Sequence, residues 1–296
     1  EMDAVLTTMV GEKIGPGEQA QRLANCAKEF LQFDYSVSLR SPAIALYHAL
    51  KLLDIPAGSG IVLSALSPRY YVYVIKELNL VPVYCDVDET TVSMTQDTVQ
   101  SSIKRFSEQS ENQLRCILVH HSLGFVPDTA SIAELGIPII EDCSRSYGTN
   151  IGEKKAGSFG VMTLLGMEER DILTAGGGAL LYATERRNAS ALRTLNALPD
   201  EYKLTDMNAA MAIVQFKESE RNYQRRKEIA QIYLQSALRT RHGRFVQNGE
   251  AEYNNYSFPL VLQTGLKDVQ SYASKKDIIL ENAFSDTVIG DESFVP

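Results

Sequence analysis

The stretch "GIVLSALSPRYYVYVIKELNLVPVYC", Gly60–Cys85, reads as strand, helix, strand. "GIVLS" (60–64) is a short apolar β-rich run, the residues from 69 to 78 have helical spacing, and "VPVYC" (81–85) is a second β-rich run. The alternation continues in both directions. "YSVSL" (35–39) precedes a helix over 42–53, a helix near 95–106 follows "VPVYC", and "RCILV" (115–119) precedes a short helix near 129–135 and then "IPII" (137–140). Such βαβ crossovers imply an α/β fold whose mostly parallel sheet is covered by helices on both faces. In sheets of this kind ligands sit at the carboxyl ends of the strands.

Several reactive side chains fall at those ends: Ser41, Ser67 to Tyr70, Asp86 and Asp88, His120 and His121, and Glu141 with Asp142. Beyond residue 156 the pattern changes, and "VMTLL" and "ALLYA" read as two strands joined by an irregular loop and a glycine turn. A long helix is expected from an N-cap at Thr205 or Asp206, with Met207, Ala210, Met211 and Val214 on one face and a break near "NYQRR". "EYNNYSFPLVL" and "LKDVQSYASKKDIIL" read as strand, helix and strand of a small α+β unit. This divides the chain into a large domain over 1–225 and a C-terminal domain over 226–296.

The 296 residues suffice for a sizeable core, and 44% apolar with 22% charged residues is ordinary for a globular protein. A formal net charge of -8 disfavours a nucleic-acid or anionic-membrane surface but leaves room for a local basic pocket. Cys26, Cys85, Cys116 and Cys143 form no CxxC pair and read as reduced, buried thiols, with no metal site implied. No apolar stretch approaches the roughly 20 residues of a membrane span, and the location expected is cytoplasmic.

Asp142 directly follows "IPII", which places a carboxylate at a strand end where it either holds a cationic ring nitrogen or caps local backbone. "RSPAIALYHAL" makes Ser41 an N-cap and Pro42 the first helical residue, an anion-site geometry in which proline removes one donor. "SPRYYVYV" sets Arg69, Tyr70 and Tyr71 at the next strand end, either facing a planar anion or packed in the core. His120 and His121 are adjacent and point to opposite faces, so they do not chelate one metal together. "AGGGALL" leads into a strand rather than a helix, unlike a dinucleotide or nucleotide-phosphate loop.

Taken in order, "GPGEQAQRLANCAKEFL", "SVSLRSPAIALYHALKLLDI", "LNLVPVYCDVDETTVSM", "IPIIEDCSRSYG", "GEKKAGSFG", "TAGGGALL" and the helical run from "YKLTDMNAA" onward resemble the DegT/StrS family of nucleotide-sugar aminotransferases that depend on pyridoxal phosphate (PLP). The resemblance implies the type I fold of PLP-dependent transferases, with a mixed, mostly parallel seven-stranded sheet between helices and a small C-terminal domain. It also implies PLP as cofactor, a homodimer and a nucleotide-sugar ligand. Asp142 matches the aspartate that pairs with the pyridine nitrogen. The phosphate loop, usually Ser-Gly-Thr, is Ser41-Pro42-Ala43 here; Tyr70 is the candidate to stack on the ring, and Arg145 replaces a common glutamine or histidine. An asparagine and an arginine of the family are Glu201 and Lys203. The chain stops at "GDESFVP", short of the family pattern, so the small domain is expected to lack its last elements or the sequence to be incomplete.

The resemblance also places a Schiff-base lysine seven residues before paired glycines. Counting back from Gly177-Gly178 gives Arg170, counting forward from "GSFG" gives Asp171, and no lysine occurs between Lys155 and Lys203. Transamination needs an amine that forms an imine and then moves a proton; a guanidinium stays protonated and does neither. Family dehydratases carry histidine there, which neither residue supplies. The leading expectation is therefore a member with no covalent cofactor link, inactive or repurposed, with Arg69, Arg145, Arg170 and Lys203 facing a small anionic ligand. An Arg170 to Asp142 pair filling the site is its structural variant. The alternatives are an active sugar aminotransferase using a lysine such as Lys154 or Lys155, which read as lying in an exposed turn, and a non-enzymatic partner of an active homologue.

Overall fold

The computed structural model describes residues 1–12, 14–247 and 251–290; Asp291–Pro296, most of the "GDESFVP" end, lie outside the described residues. Seven strands form the main sheet: β1 (Tyr35–Leu39), β2 (Gly60–Ser64), β3 (Val81–Cys85), β4 (Leu114–His120), β5 (Ile139–Asp142), β8 (Met162–Gly166) and β9 (Ala179–Ala183), with β6 (Asn150–Ile151) and β7 (Lys154–Lys155) as a small ribbon between the last two pairs. Their spatial order is β1-β9-β8-β5-β4-β2-β3. The pairs β2–β3, β2–β4, β4–β5 and β5–β8 are parallel, and β8–β9 and β1–β9 are antiparallel, which is the mixed, mostly parallel seven-stranded sheet expected.

The helices are α1 (Met2–Val10), α2 (Glu18–Leu31), α3 (Pro42–Leu52), α4 (Tyr70–Glu77), α5 (Gln96–Gln109), α6 (Thr129–Ala133), α7 (Arg186–Leu192), α8 (Asp206–Ala237) and α9 (Leu266–Ser274). Their ends follow local chemistry. The Ser41 hydroxyl accepts from the Ile44 N–H ahead of Pro42, and Thr95 and Thr98 cap each other's backbone at α5. On β8, Leu164 packs with α3 and α4 through Leu46, Leu50 and Ile75, whereas Leu165 packs with α2 and α8 through Leu23 and Phe216. Alternating side chains of one strand thus reach opposite helical layers, and each buried leucine contributes roughly 2 kcal/mol of transfer free energy. All four cysteines are free and buried, and burial pushes the Cys116 thiol to about 12.

Two expectations fail here. The helix from Thr205 does not break at "NYQRR": α8 runs unbroken for 32 residues, because the segment holds no proline or glycine and Arg221–Glu218 and Arg225–Glu228 pairs one turn apart support it. The C-terminal segment also lacks both expected strands: "EYNNYSFPLVL" is irregular beyond Glu252 apart from a single bridge at Val261. "KKDIIL" passes through a turn at Asp277 (φ 56°), and Ile279 is 88% exposed. The strand that does form, β10 (Ala251–Glu252), pairs with β6 rather than with a partner of its own segment. Lys154 and Lys155 form β7, paired with β6 just after the turn at Gly152 and Glu153; Lys154 is exposed, and the Lys155 Nζ donates to the Phe30 carbonyl at 2.5 Å.

Candidate functional site

The parallel β4–β5 register sets Val119 beside Glu141 and His120 beside Asp142, so one pair faces each side of the sheet. Glu141 is structural. Its carboxylate accepts the N–H groups of Gly157 (2.8 Å), Phe159 (2.9 Å) and Gly160 (3.2 Å) and lies 3.2 Å from His121 Nε2. His121 Nδ1 is 2.5 Å from the Ser146 hydroxyl, so this histidine ties the turn after β5 to the end of β4, while Glu141 holds the loop after β7.

Asp142 faces the other way. Its Oδ2 accepts the Tyr71 hydroxyl at 2.5 Å, and its Oδ1 accepts the Ser144 N–H at 2.9 Å and the Ser144 hydroxyl at 2.5 Å. Burial alone would raise its pKa, but His120, Ser144 and Tyr71 outweigh burial and hold the carboxyl well below the ordinary range. His120 Nδ1 lies 3.4 Å from Asp142 Oδ2 without hydrogen-bond geometry, and Nε2 makes no hydrogen bond either. Burial lowers the His120 pKa, against the pull of Asp142.

Above this carboxylate lies a cavity of about 370 Å³, walled by Pro42, Tyr70, His120, Asp142, Arg145 and the loop Glu168 to Asp171 among others. The inward acid is Asp171. Its Oδ2 accepts the Glu168 N–H at 2.8 Å and occupies a notch over Gly166, where a Cβ would stand 2.4 Å from that oxygen and 2.9 Å from the Ser144 hydroxyl. Burial, and then the Asp142 charge, push the Asp171 carboxyl up to about 7.

Arg170 turns outward. Its side chain is 60% exposed and lies 3.5 Å from Glu281, so the expected Arg170 to Asp142 pair is absent; Asp142 instead takes its donors from Tyr71 and Ser144. Arg145 also lines the cavity but binds Asp286 at 2.5 Å and lies over the Tyr256 ring. Arg69 and Tyr70 line the cavity. Ser41 and Ala43 do not: the Ser41 hydroxyl is committed to capping α3, Ala43 packs on the core, and Pro42 is the residue of that loop at the cavity wall. Lys203 is elsewhere, bridging to Leu39 at the edge strand and paired with Asp200 at 3.0 Å.

Sequence reasoning missed Ser144, Gly166 and Asp286 as parts of this site. Ser144 acts through its hydroxyl and N–H on Asp142 and Gly166 through the space its bare backbone leaves, neither marked by a residue pattern, and Asp286 arrives from 141 residues away to meet Arg145. His120 was at hand as a strand-end residue, yet only its register against Asp142 separates it from His121.

A seven-stranded α/β sheet with a donor-fed aspartate at the end of a central strand belongs to the PLP-dependent aminotransferase class of folds. Residues 1–285 match the model of the DegT/DnrJ/EryC1/StrS aminotransferase family, and the chain belongs to that family. Among curated relatives it is 23% identical over 234 residues to GDP-perosamine synthase of Escherichia coli O157:H7, covering 73% of this chain and 62% of that protein; the chain thus spans less than two thirds of that relative. A DegT DnrJ EryC1 StrS aminotransferase from Brucella abortus superposes with a TM-score of 0.89 at 15% identity, covering 99% of this chain and 82% of that one. E. coli GDP-4-keto-6-deoxy-D-mannose-3-dehydratase, solved with hydrated PLP, superposes with a TM-score of 0.84 at 15% identity over 99% and 84% of the two chains.

The residues present fit this cofactor class in part. Asp142, ionised and facing the cavity, suits a pyridine nitrogen, and Tyr70 borders the same space. Among the described residues, no side chain at the cavity wall offers an amine for a covalent link. When bound, a pyridoxal cofactor supplies an electron sink for bonds at an amine-bearing carbon.

Proposed function

We propose that this chain is an aminotransferase-like protein that holds a small phosphate-bearing ligand, of the nucleotide-sugar or pyridine-phosphate class, without a lysine imine, and so does not run lysine-dependent amino transfer. The observation that carries this reading is the cavity wall: among the described residues it includes Arg69, Arg145 and Arg170 and no lysine. The arginines add positive charge but no nucleophile, and Arg145 and Arg170 also pair with Asp286 and Glu281. Asp142 orients whatever donor the ligand places at the strand end, while Tyr71 and Ser144 keep it ionised. The same reading includes a large domain to about residue 225 with a small C-terminal domain, a homodimer and a cytoplasmic location, all of which rest on the sequence resemblance. Lys154 and Lys155 give no support to an active enzyme, since Lys155 is bound to the Phe30 carbonyl and neither borders the cavity.

Borohydride reduction in the presence of PLP, followed by peptide mapping, tests this. The expected result is scattered surface labelling that a sugar nucleotide does not change. A single stoichiometrically labelled lysine, protected by such a ligand, would overturn the reading.

A further inference from the structure

A second cavity, of about 460 Å³, lies between the C-terminal half of α8 and the segment from Arg244 to Pro259, and shares no lining residue with the cavity over Asp142. Its volume falls within the roughly 300–1,000 Å³ of small-molecule sites. One stripe of α8 forms a wall: Glu220, Tyr223, Gln224, Lys227, Gln231 and Leu234 follow the three- and four-residue spacing of a single helical face. At about 1.5 Å per residue that face runs for about 21 Å, so the cavity is a cleft suited to an elongated ligand. Phe125, Tyr223, Phe245, Tyr253 and Phe258 add five aromatic rings to its lining. The fold fixes them. The Tyr223 hydroxyl donates to the Tyr147 carbonyl at 3.1 Å, and its ring lies against Gly148 (φ 85°), where a Cβ would stand 2.3 Å from the ring. Phe258 packs with the Tyr233 ring at 5.4 Å and with the Arg244 guanidinium at 5.9 Å. Carboxamides fill the space between the rings. Asn150, Gln231 and Gln247 make no side-chain hydrogen bond among the described residues, and Gln224 engages Glu220 through its amide nitrogen at 2.8 Å, leaving its carbonyl open. The cleft carries no net charge, because Glu220 and Glu252 on its wall match Lys227 and Arg244, so neither an anion nor a cation gains from it.

We propose that this cleft is a second binding site, for a neutral carbohydrate chain whose ring faces stack on the aromatic side chains and whose hydroxyls bond the carboxamides. Each sugar hydroxyl both donates and accepts, and a carboxamide is the neutral side chain that offers both functions in one fixed plane. The C–H bonds on a sugar face carry slight positive charge and meet the negative face of an aromatic ring. A wholly apolar ligand would leave the carboxamides unpaired on binding, which costs affinity. The site lies outside the cavity over Asp142 and does not depend on what that cavity holds.

Saturation-transfer NMR and calorimetric titration of the full chain with maltopentaose, cellopentaose and xylopentaose test this. At least one of the three should bind with a Kd below about 1 mM, with saturation passing to its ring C–H protons. Gln224→Ala and Gln231→Ala, both at exposed positions of α8, should each weaken that binding about fivefold without lowering the melting midpoint. Excess uridine diphosphate should not displace the bound sugar. No binding of any of the three, binding that both alanine variants retain in full, or displacement by uridine diphosphate would overturn the proposal.

Discussion

Asp142 and Asp171 are two carboxylates beside one cavity with opposite fates. Both lose solvation, but three donors hold Asp142 ionised, whereas a single backbone N–H and the nearby Asp142 charge leave Asp171 near about 7. The Asp171 shift has a definite sign in stability. Because its folded pKa lies above the unfolded carboxylate value of about 3.9, the folded state binds the extra proton and stability falls as pH rises from about 4 to 7. Melting curves across that range should therefore show Asp171→Asn gaining on the wild type as pH increases, with the difference levelling off above about pH 8. A constant offset at all pH values would contradict the assignment. The sequence leaves Arg170 and Asp171 as two readings of the lysine position, and their side chains differ in direction: the guanidinium meets Glu281 at the rim, and the carboxylate turns inward.

At the scale of elements, the turn from β8 into the following loop shapes the site. Gly166 ends β8, donates its N–H to the Ser144 hydroxyl at 2.7 Å, and leaves the notch that Asp171 fills. Gly166→Ala should cost about 1–3 kcal/mol, read as a lower denaturation midpoint, because the new methyl group meets the carboxylate, the hydroxyl and Pro42 at once. An unchanged midpoint would show that the loop yields freely. The strands themselves were legible, since "GIVLS", "VPVYC" and "YSVSL" form β2, β3 and β1 with the bounds their apolar runs suggest. The break in α8 was misjudged because a run of charged residues resembles a loop in composition, while ion pairs spaced three apart sustain the helix. In "RSPA" the Ser41 hydroxyl accepts the Ile44 N–H at 3.2 Å, and Pro42 rather than Ser41 or Ala43 borders the cavity.

Across the whole molecule, the α/β alternation and the ordered family motifs were enough to give the sheet and its helical layers, because periodicity and strand-end position are properties of sequence. The chemistry of the site was legible only at Asp142, whose place after an apolar strand is set by local order. Its partners Tyr71 and His120, and the closure of Arg145 onto Asp286, depend on tertiary contacts 71, 22 and 141 residues apart. The central claim is that this body keeps a ring-binding carboxylate while an acid stands where the amine is required. Visible absorbance with added PLP, for the wild type, Arg170→Lys and Asp171→Lys side by side, tests that claim most directly. The account predicts a borohydride-sensitive imine band only for Asp171→Lys. Such a band in the wild type would contradict it.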